Sequence, residues 1–109
     1  MRDDKARLLD ILEAIQLLEK HLPSNKALHE LDELKFMGVV RCLEIIGEAC
    51  NHLSEELKKK YSDVPWRQIA NMRNILAHQY FKVDTEKVEK AIKDNLPKLK
   101  SQIENILNK

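Results

Sequence analysis

The stretch from Phe36 to Leu53 constrains this chain more than any other. Placed on a helical wheel at about 100° per residue, Arg41, Glu44, Glu48, Asn51 and Glu55 fall within one arc of about 80°. Phe36, Val39, Val40, Cys42, Leu43, Ile45, Ile46, Gly47, Ala49, Cys50 and Leu53 fill most of the remainder. A surface helix needs an apolar stripe of only about 100°. This helix, predicted from about Leu28 to about Leu53, therefore requires cover on two sides. In a chain of 109 residues the second cover is expected to be another subunit. Gly47 points to a close approach by a neighbouring helix.

The flanking segments repeat the helical period. Leu8, Ile11, Leu12, Ile15, Leu18 and Leu22 mark a first helix that begins near Asp3 and ends at Pro23-Ser24-Asn25. His21 falls at its C-terminal end, where an imidazole complements the helix dipole. Ser54 either caps a short extra helix through "ELKKKY" or lets the second helix run on. Asp63 and Pro65 open a third helix over about 65–79, with Trp66 facing inward. Asp84 reads as the N-cap of a last segment, with Glu86 in its first turn. Val88, Ile92, Leu96, Leu99, Ile103 and Leu107 form that segment's buried side. Pro97 either kinks it or starts a fresh helix. Only two glycines and three prolines interrupt the chain, and no strand period is present. These features predict an all-α, up-and-down four-helix bundle with a short extra helix, as one domain over 1–109.

Charge excludes one class of partner. Lys and Arg total 19 against 18 Asp and Glu, a net charge of +1. Proteins that grip nucleic acid by bulk electrostatics are far more basic, so anion binding must come from a local patch. Residues 1–54 carry 7 basic and 10 acidic side chains, and residues 55–109 carry 12 and 8. The C-terminal half is the basic one. Cys42 and Cys50 sit eight residues apart on one helix, a rise of about 12 Å, too long for a mutual disulfide. Free thiols suit a reducing cytosol. With no apolar run long enough to span a bilayer and no signal-peptide core at "MRDDKAR", a cytoplasmic protein away from membranes is expected.

Three polar groupings could carry chemistry. Glu44, Glu48 and His52 recur every four residues, yet the Glu-x-x-His pairs of di-metal bundles are missing. A solvated stripe, with Arg41 pairing Glu44, is the better account, so neither metal nor cofactor is expected. Lys58-Lys59-Lys60 before Tyr61 reads as a helix end complementing the dipole, or as part of a rim that contacts RNA. The third grouping is "RNILAHQY", residues 73–80. Asn74 and His78 are i,i+4 neighbours, so the amide can orient the imidazole. Arg73 points about 140° away from His78 on the same wheel. Two copies meeting about a twofold axis would remove that difficulty.

"MRDD", "RCLEIIGEAC" at 41–50, "VPWRQIANMRNILAHQYF" at 64–81 and "VD" at 83–84 together resemble the HepT-like family of HEPN domains, in order and over essentially the full length. The R-[polar]-x-x-x-H signature of HEPN ribonucleases falls on Arg73, Asn74 and His78, and the longer R-x-x-x-x-H-x-Y form adds Tyr80. The resemblance implies a homodimeric four-helix bundle with both motifs lining an interface cleft, to which Arg41, Glu44 and Glu48 of the second helix would contribute. It implies the toxin of a type VII HEPN/MNT toxin–antitoxin system, a metal-independent endoribonuclease that leaves 2′,3′-cyclic phosphates. It further implies an MNT-type nucleotidyltransferase antitoxin that attaches AMP to Tyr80. The alternative is a catalytically inactive HEPN module that binds a nucleotidyltransferase or a nucleotide through the same cleft.

Overall fold

The computed structural model describes residues 3–22, 31–71 and 89–108, and every regular element among them is helical. Helix α1 spans Asp4–His21. Asp3 is its N-cap, and its carboxylate accepts the Ala6 N–H at 2.8 Å, satisfying one of the donors that a helix start leaves open. Lys20 and His21 close its last turn, as the dipole favours. Its inward face is Leu8, Ile11, Ala14, Ile15 and Leu18.

Helix α2 spans Glu33–His52. It starts later than Leu28 because Asp32 caps it: the carboxylate accepts the Lys35 N–H at 2.8 Å, and Leu31 is already outside the helix. Val39, Val40, Leu43, Ile46, Gly47, Ala49 and Cys50 are all buried. On the wheel they cover about 180°. A single chain therefore buries most of the wide apolar arc, while Phe36, Cys42 and Ile45 of that arc stay partly exposed. The most open apolar surface belongs to the first turns, where Leu34 is 79% exposed and Met37 is also exposed.

Leu53 breaks the helix, and Ser54 starts a new one, α3, Glu55–Lys60. The Ser54 hydroxyl accepts the Leu57 N–H at 3.2 Å. Asp4 holds Ser54 in place, accepting its backbone N–H at 2.9 Å and its hydroxyl at 2.5 Å. The choice between a capped extra helix and a continued α2 thus falls to the cap, which is fastened to the first turn of α1.

Residues 66–71 are helical and are called α4. The Pro65 carbonyl accepts the Ile69 N–H at 3.1 Å. Trp66 is buried, and its indole N–H donates to the Tyr61 carbonyl at 3.0 Å. The last described segment is helical at 89–90, widens to a π-helical turn at Ala91–Asn95, and continues as α5, Leu96–Leu107. Pro97 lies in the first turn of α5. Proline has no N–H to give and crowds the carbonyl four residues back. The wider turn before it relieves that crowding, and the helical backbone runs on from one to the other. Leu96, Leu99 and Ile103 are buried, with Ile92 and Leu107 partly so.

α1 packs against both α2 and α5. Ile11, Ile15, Leu43, Ile46, Cys50, Leu99 and Ile103 form its innermost layer, each large side chain worth roughly 1.5–3 kcal/mol when fully buried. The architecture is the all-α bundle that the periodicity predicts. The Pro23-Ser24-Asn25 break, the Asp84 cap with Glu86, and Val88 lie outside the described residues.

Candidate functional site

The polar arc of α2 faces solvent. Arg41 Nη1 stands 3.6 Å from Glu44 Oε2, with side chains 65% and 29% exposed. Glu48, Asn51 and His52 are exposed beyond them. Such an i,i+3 pair at the surface stabilises by only about 0–1 kcal/mol. The stripe does little to hold the fold and leaves its polar groups available. Glu44, Glu48 and His52 climb the helix by about 6 Å per step. Among the described residues no three His, Cys, Asp or Glu side chains converge as metal ligands.

Burial excludes Cys50 as a nucleophile. Cys50 is fully buried, and desolvation pushes its thiol up to about 12. Cys42 is also raised, by the same cause, with the neighbouring Arg41 opposing it. Neither forms a disulfide. At neutral pH the buried Cys50 is protonated and inert.

The lysine run, which the sequence leaves undecided, divides in the structure. Lys58 turns inward with its side chain 19% exposed. Its ammonium donates to the Asn51 carbonyl at 3.2 Å, completing the end of α2. Lys59 and Lys60 are exposed, and the Lys60 ammonium sits 5.5 Å from the centre of the Tyr61 ring. Lys58 therefore lines a cavity that the polar arc of α2 runs into and that α4 closes from the other side. Sequence reasoning did not find this cavity. The one available signal was the spacing of Arg67 and Asn71, a polar i,i+4 pair on the helix that leads into "RNILAHQY".

Arg73, Asn74, His78 and Tyr80 lie outside the described residues. Of the site residues read from the sequence, the structure thus positions Arg41, Glu44 and Glu48 on one exposed face. α4 ends its described part at Asn71, two positions before Arg73.

The family model described as "Ribonuclease HepT-like" matches residues 11–106. A protein of Methanocaldococcus jannaschii whose name marks it as a candidate RNase is 38% identical over 106 residues, covering 94% of this chain and 95% of its own. A probable ribonuclease HepT of Thermococcus cleftensis is 37% identical over 108 residues, covering 96% of each chain. A second M. jannaschii protein, named as a gamma-glutamylcyclotransferase and candidate RNase, is 39% identical across 97% of this chain. Here the chain spans only about half of the relative, 48% of its length. No solved structure matches the chain. Among the described residues no helix is long and apolar enough to cross a membrane. With a family model spanning residues 11–106 and relatives matched across nearly its whole length, the chain belongs to the ribonuclease HepT-like family.

Proposed function

We propose that this protein is the toxin of a HEPN/MNT toxin–antitoxin pair, acting as a metal-independent endoribonuclease through Arg73 and His78. The observation that carries the reading is the family match over residues 11–106, which encloses the complete R-x-x-x-x-H-x-Y sequence at 73–80.

RNA brings its own nucleophile, the 2′-hydroxyl, so the protein need supply only proton transfer and charge stabilisation. An imidazole such as His78, with an ordinary pKa near 6.5, exchanges protons at neutral pH. Arg73 is always cationic, and its planar fork suits the charge that builds on the phosphorane oxygens. Asn74 orients the imidazole. The 2′-oxygen attacks phosphorus, the bond to the 5′-oxygen breaks, and the products are a 2′,3′-cyclic phosphate and a 5′-hydroxyl. Two copies of a single 1–109 domain pair so that Arg73 and His78 work across the interface, and the Arg41–Glu44–Glu48 face borders the cleft. Tyr80 is the control point. The nucleotidyltransferase antitoxin transfers AMP from ATP to the Tyr80 phenol, the α–β phosphoanhydride bond breaking and pyrophosphate and the phenol proton leaving, which places a phosphate in the cleft and repels RNA.

The test is RNA cleavage in excess chelator by the purified protein and by His78→Ala. The variant is expected to lose about 10²-fold or more, the low end for a missing general acid/base, with its helical signal unchanged. Incubation with the nucleotidyltransferase and ATP is expected to add AMP mass and silence the parent but not Tyr80→Phe. Undiminished cleavage by His78→Ala would remove the catalytic assignment. Abolition by chelator would redirect attention to Glu44, Glu48 and His52.

A further inference from the structure

Where α2 ends, the chain leaves an open cavity of about 510 Å³ between that end, α3 and α4, within the size range of small-ligand sites. Its lining includes the cations Lys58 and Arg67, the amides Asn51 and Asn71, and one carboxylate, Glu55. Below them Val64 and Trp66 are buried in the core. We propose that this cavity is a phosphate-binding subsite for single-stranded RNA, holding the backbone of a nucleotide that flanks the cleaved bond. The proposal rests on the ribonuclease reading for its ligand class, but not for its geometry.

Three features support it. The wall is fixed in place: the Tyr61 carbonyl accepts from both the Val64 N–H, at 3.1 Å, and the Trp66 indole, at 3.0 Å, while the Trp66 N–H donates to the Val64 carbonyl at 2.8 Å. The cations are available. Lys58 uses one of its three donors on the Asn51 carbonyl at 3.2 Å, and its other neighbour, Glu55 at 3.7 Å, is 81% exposed and weakly held. Arg67 is exposed and has no ion pair or hydrogen bond among the described residues, and a guanidinium forks onto phosphate oxygens.

The third feature is register. Arg67 and Asn71 both line the cavity and sit i,i+4 on α4. In the sequence the chain passes from this cavity to the motif of the ribonuclease reading within two positions, Asn71 to Arg73. A capping role alone accounts for Lys58, but not for Arg67 and Asn71 on the same cavity.

The test uses the full chain carrying His78→Ala, so that bound RNA is not cut, with a short fluorescein-labelled oligouridylate as the probe. Anisotropy titrations over a range of salt concentrations are compared for that protein and for versions also carrying Arg67→Gln or Lys20→Gln. Lys20 is exposed in the last turn of α1, the opposite end of that helix from the Asp4–Ser54 contact, and loses the same charge. Arg67→Gln is expected to weaken binding several-fold and to reduce the slope of log K against log salt by about 0.7, the value for one phosphate contact on a single strand. Lys20→Gln is expected to leave both unchanged. If the two variants behave alike, the subsite is wrong, while cleavage by the parent leaves the ribonuclease reading standing. If the parent does not cleave but binding still depends on Arg67, the catalytic reading falls and the subsite stands. If the probe does not bind at all, the subsite is also overturned.

Discussion

The two faces of α2 obey different rules. One carries Val39, Leu43, Ile46 and Cys50, all buried against the rest of the chain. The other carries Arg41, Glu44, Glu48 and Asn51, held by a single loose ion pair and open to solvent. Burial makes the first face sensitive to the loss of any methylene. Exposure leaves the second nearly free to change without structural cost. The comparison separates residues that keep the bundle from residues left for binding. It also locates the boundary, because Lys58 and the Ser54 cap stand where one regime gives way to the other.

The strongest way to break the comparison is on the buried face. Ile46 is completely inaccessible, so Ile46→Ala removes packing and leaves a cavity that costs about 2–5 kcal/mol. In a chain this size that corresponds to a fall in melting temperature of roughly ten degrees or more. Circular dichroism melts check it. A loss of only a degree or two would mean that this face is not the core.

Cys50 gives a pH-dependent version of the same claim. Its thiol ionises near its ordinary 9.0 when the chain is unfolded, and is pushed up to about 12 by burial when folded. Below about pH 9 both states keep the proton and the group has no effect on stability. Above it the unfolded state sheds the proton first, so stability falls as pH rises towards 12. At about pH 10 this one group is expected to cost about 1.4 kcal/mol. Cys42, raised in the same direction, adds to the trend. Urea melts at about pH 8 and about pH 10 measure the loss, and Cys50→Ala should show a smaller one. An equal loss in the variant would place the effect on other groups.

Much of this was legible in the sequence, for identifiable reasons. The inward positions of α1 and α5 follow a 3.6-residue period, and Asp3 and Ser54 announce their caps by residue type. The start of α2 was misread because Leu28 continues the apolar pattern, and pattern alone does not register that Asp32 is the better cap. For the wide arc, a wheel shows how much surface must be hidden but not what hides it, and contacts between distant segments hide most of it within one chain. The cavity beside Lys58 was invisible because three adjacent lysines look alike until one of them turns inward. The candidate catalytic pair Arg73 and His78, with Asn74 in support, was read from the motif and the family resemblance around it, and all three lie outside the described residues.

The smallest expected effect sharpens the comparison most. Arg41→Ala removes the exposed partner of the 3.6 Å pair, and its effect on stability is expected to stay within about 0.5 kcal/mol, as for surface substitutions generally. Glu44→Ala should match it, and the double variant should show almost no coupling, because the pair is solvated and loosely held. Urea melts of the three proteins give that cycle. If the Arg41–Glu44–Glu48 face borders the RNA cleft, kcat/KM for RNA should fall several-fold in Arg41→Ala while the melt does not move, and the loss should shrink as salt rises. A melt that drops along with activity would make Arg41 a structural residue and erase the contrast between the two faces. Activity that stays level at low salt would keep the contrast but move the cleft off this side of α2. Only a loss of activity without a loss of stability ties the exposed face to the site.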